Sequence, residues 1–165
     1  MRDTEECPGC GAASAIEDGA THPYMLSSAA CWRRYGEVMA REYTSAALMD
    51  VHFLSVDAFA AQHPGSDDDR RARQSVWIHL AGLKAVLRDR HPKAYRYDLL
   101  RRLARRNDFP PQPRHAPFAM TSADMVLLET ESAHRQGARD WAEATLKAYE
   151  DVVADLHLLL DALEN

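Results

Sequence analysis

Residues 44–91 read TSAALMDVHFLSVDAFAAQHPGSDDDRRARQSVWIHLAGLKAVLRDRH. Apolar residues recur here at steps of three and four, the period of an α-helix with one buried face. Thr44 or Ser45 can cap a helix that runs to His63, with Leu48, His52, Ser55, Val56, Phe59 and His63 on one stripe. Pro64-Gly65 stops it. The run Ser66-Asp67-Asp68-Asp69 then opens a further helix, because acidic groups favour the positive end of the helix dipole. The inner face of that helix carries Val76, His79, Leu80, Leu83, Val86 and Leu87, and His91-Pro92 interrupts the chain.

The same period extends on both sides. CWRRYGEVMAREY (31–43) puts Trp32, Tyr35, Val38, Met39 and Glu42 near one side of a helix. A basic helix follows from about Lys93 to Arg106, with Tyr95, Leu99, Leu100 and Leu103 inward. Pro110, Pro111, Pro113 and Pro117 make residues 107–120 a loop or extended crossing segment. A short helix is expected after Thr121 or Ser122. A last helix is expected from about His134 to Leu163, with Trp141, Thr145, Ala148, Val152, Leu156, Leu159 and Leu163 as its stripe. No strand period stands out. The expectation is an all-α, single-domain helical bundle of about five to six helices. Within it, residues 1–30 form an irregular zinc-binding N-terminal arm, 31–106 helices, 107–120 a Pro-rich loop and 121–165 C-terminal helices.

Composition agrees with that reading. The 165 residues are 46% hydrophobic and 27% charged, within the range of soluble globular proteins. A domain of this length has enough core to fold without a metal. No signal-peptide pattern is visible and no apolar run approaches a membrane span, so a cytoplasmic location and no membrane partner are expected. The net charge of −5 conceals an asymmetry: Lys84 to Arg114 holds ten Lys/Arg against three Asp/Glu, and Thr121 to Asn165 holds three against ten. These stretches read either as complementary surfaces or, in the basic one, as a patch for nucleic acid.

Cys7-Pro8-Gly9-Cys10-Gly11 is the strongest chemical signal. A turn with two cysteines three apart aims both sulfurs at one point, and tetrahedral zinc is completed by two more ligands. Cys31 is the third candidate, since a helix start favours the thiolate that a metal needs. His22, held by a following proline, is the leading fourth. Three cysteines argue against a disulfide framework. Free thiols, or a redox pair, are the alternatives. A redox pair would normally follow a strand, and none is expected before Cys7.

A second constellation is His52, His63 and His79, all on inward stripes, with Asp57 and Gln62 available to orient the rings. These residues are the candidates for acid, base or metal-binding work in a shared pocket. A simple antiparallel hairpin of helices levels His79 with His52 more readily than with His63. Glu131-Ser132-Ala133-His134 has the Glu-x-x-His spacing of di-iron bundles, but without its second copy.

The blocks CPGCG, THPYM, CWRRYGEVMAREY, VDAFAAQHPG and QSVWIHLAGL, with TSADM and RDWAEATLKAYEDVVADLH toward the end, resemble an uncharacterised bacterial family of unknown function. The resemblance spans nearly the whole chain. It implies a single domain with a Cys/His constellation and supplies no catalytic assignment. The family's last helix often carries two adjacent histidines; this chain has only His157 there.

Three functions fit these residues. One is a zinc-binding domain with an interaction or regulatory role and a protein partner. Another is a metal-dependent enzyme whose pocket uses His52, His63 and His79. The third is a nucleic-acid-binding accessory protein, resting on the basic stretch alone.

Overall fold

The computed structural model describes residues 3–161. It is mostly helical, and the sheet among the described residues has two strands. The strands β1 (Thr4–Glu6) and β2 (Ala13–Ala15) form an antiparallel hairpin that pairs Glu5 with Ser14. This corrects the expectation of an irregular arm. Three-residue strands are too short for an alternating pattern to register in sequence. The hairpin is set by its turn: Cys7 N–H donates to Ala12 O at 2.9 Å and Gly11 N–H to Cys7 O at 2.9 Å. Gly11 has φ +76°, a left-handed conformation that glycine adopts without steric cost.

The first helix, α1 (Ala29–Glu42), is capped by Ser28, whose hydroxyl accepts from Cys31 N–H at 3.2 Å. Cys31 therefore sits in the first turn rather than at the helix start. The helix expected over 45–63 is two helices, α2 (Ala46–Met49) and α3 (His52–Gln62). Between them Val51 N–H bonds to Leu48 O and Leu54 N–H to Val51 O, three-residue steps that tighten the chain and turn it. α3 buries nine of its eleven residues, including Phe53, Leu54, Ala58 and Ala61. A helix apolar on all sides belongs in the centre of a bundle. The expected stripe was too narrow, and two of its members, His52 and Val56, lie on the less buried side.

α3 packs against α4 (Arg70–Leu87) and α7 (Glu131–Ala148). The cap of α4 is Asp69, which accepts from Arg71 N–H at 2.8 Å, as the acidic run suggested. α5 (Lys93–Leu103) lies against α4 and buries Leu99, Leu103 and Arg96. Residues 104–121 cross the molecule without helix, and Trp77 Nε1–H donates to the carbonyls of Pro110 and Pro111. α6 (Ser122–Met125) begins with a capping box between Thr121 and Asp124.

α7 starts three residues before its expected position because Thr130 caps it, accepting from Ala133 N–H at 3.1 Å. The last expected helix is interrupted at Tyr149 and again at residues 154–155, giving α8 (Glu150–Val153) and α9 (Leu156–Asp161). The interruption buries Tyr149 and Val153 where Ala148 and Val152 were expected, while the expected Leu156 is buried. Leu163 lies outside the described residues. Among the described residues, no helix is long and apolar enough to cross a membrane.

Candidate metal centre

Three segments converge at the end of α3. The β-hairpin turn brings Cys7 and Cys10, the first turn of α1 brings Cys31, and the C-cap of α3 brings His63. One donor atom from each of the four residues lies within 4.8 Å of all the others, and all four residues are buried. Cys10 Sγ is 3.7 Å from Cys31 Sγ, and Cys31 Sγ is 3.2 Å from His63 Nε2. This is a cluster that can hold a metal ion.

The surroundings hold the donors in place. His63 Nδ1–H donates to Phe59 O at 2.6 Å, which turns Nε2 toward the thiols. The ring also stacks on Phe59 at 3.8 Å, and Phe59 in turn on Tyr35 at 3.9 Å. Ser28 N–H points at Cys7 Sγ from 3.5 Å, and Ser122 Oγ stands 3.4 Å from Cys31 Sγ. Gly9 is required by close approach. A Cβ there would stand 2.3 Å from Leu26 O and 2.6 Å from the His63 ring. Gly65 is equally constrained, since its Cβ would stand 2.1 Å from Tyr24 O. The glycines of CPGCG and QHPG thus permit the hairpin and the α3 terminus to meet their neighbours.

The protons of this cluster are unevenly held. Hydrogen bonds from Cys10 and Cys31 pull the Cys7 thiol far below the ordinary thiol range, against the opposing effect of burial. The hydrogen bonds that Cys10 makes to Cys31 and Cys7, reinforced by burial, push its own thiol far above that range. Burial disfavours a charged His63 ring, yet hydrogen bonds to Cys31 and Cys7 outweigh it and raise the ring to about 9. These directions favour one thiolate beside one imidazolium and oppose a second buried anion. A divalent cation removes that resistance by supplying the missing positive charge.

His22, the expected fourth donor, stands outside this group. Its Nδ1 accepts from the backbone N–H groups of Tyr24 and Met25, each at 3.3 Å, and its ring packs edge-on to Tyr24 and Trp32. It organises the loop between the hairpin and α1. His63 takes the fourth place. The sequence singled it out for a pocket, and its position just before Pro-Gly was the available clue to an exposed helix end that another segment could meet. The strand β1 does precede Cys7, contrary to expectation, although it leads into a hairpin and not into a helix.

The rings of His52, His63 and His79 do not share a pocket. His52 Nδ1 pairs with Glu42 Oε2 at 2.7 Å, and His79 Nδ1 with Asp57 Oδ1 at 2.7 Å. Asp57 orients a histidine ring, as expected. Gln62 does not: its Nε2 donates to Met120 O and to Thr145 Oγ1. The Glu42 carboxylate, fully buried, also accepts from Ser55 Oγ at 2.6 Å and contacts His134 Nε2 at 2.9 Å. His134 therefore serves a buried carboxylate rather than a di-iron site. His157 is exposed, with Nδ1 2.6 Å from Ala154 O.

The basic stretch is largely paired. Lys84, Arg88, Lys93, Arg96, Arg101 and Arg106 contact Asp89, Glu143, Asp50, Asp57, Asp98 and Asp108 respectively. The Arg88–Glu143 pair joins the basic stretch to the acidic one.

No curated protein and no solved structure matches this chain. A family model does match over residues 5–150, a span that takes in all four donors, and the chain belongs to that family, described as a family of unknown function (DUF5946).

Proposed function

We propose that Cys7, Cys10, Cys31 and His63 bind one zinc ion in a closed structural site, and that the chain acts as a zinc-stabilised interaction or regulatory domain. The observation that carries this reading is the buried set of four protein donors. Structural zinc sites take four protein ligands, whereas catalytic ones keep a position open for water or substrate. Zinc bond lengths of about 2.3 Å to sulfur and about 2.0–2.1 Å to nitrogen put tetrahedral donors about 3.5–3.8 Å apart. The Cys10–Cys31 separation of 3.7 Å fits that edge, and the Cys31–His63 separation of 3.2 Å is close to it. Thiolate-rich tetrahedral sets suit zinc better than magnesium, calcium or manganese. The ion would fasten the hairpin to the ends of α1 and α3, segments far apart in sequence.

The enzyme reading based on a shared histidine pocket loses support, because its three rings face three different partners. Nucleic-acid binding loses support because six cations of the basic stretch already contact carboxylates. Two measurements test the main reading. Native mass spectrometry is expected to find one zinc per chain, absent in Cys10→Ala. In the cobalt-substituted protein, azide or thiocyanate is expected to leave the visible ligand-field bands unchanged, since a closed site offers no position to a fifth ligand. A chain that is purified without metal and takes up no zinc when zinc is supplied would overturn zinc binding. An anion-dependent spectrum would overturn the structural role and leave the metal in place.

A further inference from the structure

His79 stands in the middle of α4, on a turn of helix that faces α3. Its Nδ1 is committed inward to Asp57 Oδ1. Asp57 is fully buried and takes a second partner, Arg96 from α5, whose Nε donates to Oδ2 at 2.6 Å and whose Nη2 donates to Oδ1. Gly82, one turn further along α4, makes room for this pair: a Cβ there would stand 2.8 Å from Asp57 Oδ2 and 3.3 Å from Arg96 Nε. A carboxylate only accepts, so the ring presents N–H at Nδ1 and turns Nε2 away from Asp57. The bidentate guanidinium supplies the countercharge of Asp57. Three helices thus support one imidazole whose outer edge is partly exposed, with 18% of the side chain accessible.

That edge opens onto a surface pocket lined also by Tyr24, Arg70, Arg71 and Ser75. Ser75 precedes His79 by one helical turn, which places both on one face of α4. Arg71 lies over the Tyr24 ring at 5.3 Å, is mostly exposed, and reaches Asp69 only at 3.9 Å. Arg70 donates to the neutral side chain of Gln74. The pocket therefore combines guanidinium charge, a hydroxyl and an imidazole ring held at Nδ1.

We propose that this pocket is a second site, separate from the metal centre, that takes a small oxyanion carrying a hydroxyl, as inorganic phosphate does near pH 7. Arg71 and Arg70 meet the anionic oxygens, Ser75 donates to one of them, and His79 Nε2 accepts from the P–O–H group. A ligand that has the charge but lacks the proton donor leaves the imidazole unused.

Inorganic phosphate is the probe. With ionic strength held constant by chloride at about pH 7, the His79 ring nitrogens are followed by NMR, and its carbethoxylation by mass spectrometry. Phosphate is expected to shift the His79 signals saturably and to protect the ring from modification. Sulfate and acetate, which carry no hydroxyl near pH 7, are expected to bind about tenfold more weakly, a difference of about 1.4 kcal/mol. Arg71→Ala, an exposed change that leaves the core untouched, is expected to weaken phosphate by a similar factor while the Nδ1–H tautomer of His79 persists. Three results would each overturn the proposal. They are a response that chloride reproduces, an unchanged phosphate affinity in Arg71→Ala, and a proton found on Nε2 instead of Nδ1.

Discussion

The two ends of α1 carry two different answers to the problem of burying polar side chains. Cys31, in the first turn, belongs to a cluster of three thiols and an imidazole. Glu42, the last residue, belongs to a cluster of one carboxylate, two imidazoles and a hydroxyl. At the Glu42 end the partners come from within the chain: Ser55 donates, and His52 and His134 supply ring nitrogens at both carboxylate oxygens. At the Cys31 end the chain offers more potential anions than it can balance, as the opposed displacement of Cys7 and Cys10 shows. A cluster that closes on itself is a structural tie. A cluster short of positive charge asks for an ion from outside.

The largest effect that separates the two ends is expected from metal removal. Substituting Cys10 or Cys31 by Ala, or stripping the protein with a strong chelator, should lower the melting temperature by about 10 °C or more, at about 2–4 °C per kcal/mol for a chain of this size. Far-UV circular dichroism should retain most of its helical signal, because α3, α4 and α7 pack directly against one another. Loss of all helix on chelation would make the metal a condition of the whole fold and erase the distinction between the two ends.

Acidity sharpens the same contrast. In the metal-free protein the raised His63 ring, at about 9, contributes stability that is full below the ordinary histidine value of 6.5 and is lost as pH rises through about 9. The depressed Cys7 thiol works in the opposite direction: its contribution is full above the ordinary thiol value of 9.0 and is lost as pH falls through its own lowered value. Metal binding must expel the His63 proton and the tightly held Cys10 proton, so affinity should fall steeply as pH falls. Calorimetry in buffers of different ionisation enthalpy near pH 7 counts those protons. Release of none would contradict the picture of a protonated, thiol-paired His63.

The next effect in size concerns the buried ion pair behind His79. Arg96→Ala leaves Asp57 buried without its guanidinium, and removing one partner of such a pair costs about 3–5 kcal/mol. Glu42→Gln should cost less, about 1–3 kcal/mol, because the amide keeps an acceptor for Ser55 while its NH2 group faces one of the histidine donors. Chemical denaturation of both variants with the metal bound measures the order. A larger loss from Glu42→Gln would mean that the self-closing cluster is the more highly charged of the two.

How much of this was open to sequence reading depended on the range of the interaction. Helices with a wide exposed face, such as α4 and α5, were readable from their period, and Asp69 and the Pro-rich crossing segment from local chemistry. The paired cysteines and Cys31 were readable because residue type and spacing state the geometry. The break at Val51 was not, since it rests on three-residue hydrogen-bond steps that no residue type announces. His63 was chosen over His22 by tertiary approach, through Gly9 and Gly65, which a one-dimensional pattern does not record. Arg96 was hidden for the opposite reason: an arginine on a basic helix looks solvated until the carboxylate it serves, 39 residues away, is placed beside it.

The smallest expected effect lies on the surface, where charge is neither buried nor short of partners. Arg88 and Glu143 meet at 2.6 Å with side chains 41% and 46% exposed. Water and salt screen such a pair, and exposed pairs contribute about 0.2–1 kcal/mol. A double-mutant cycle of Arg88→Ala and Glu143→Ala should give a coupling within that range, falling further as salt is raised past about 0.15 M. The pair nevertheless bears on function, because it is where the basic stretch meets the acidic one. If the two stretches are complementary surfaces, Glu143→Ala frees a cation, and non-specific binding to duplex DNA at low salt should rise from a negligible level. If the wild-type chain already binds DNA with a steep salt dependence, and Glu143→Ala leaves that unchanged, the basic stretch is serving phosphates and not carboxylates.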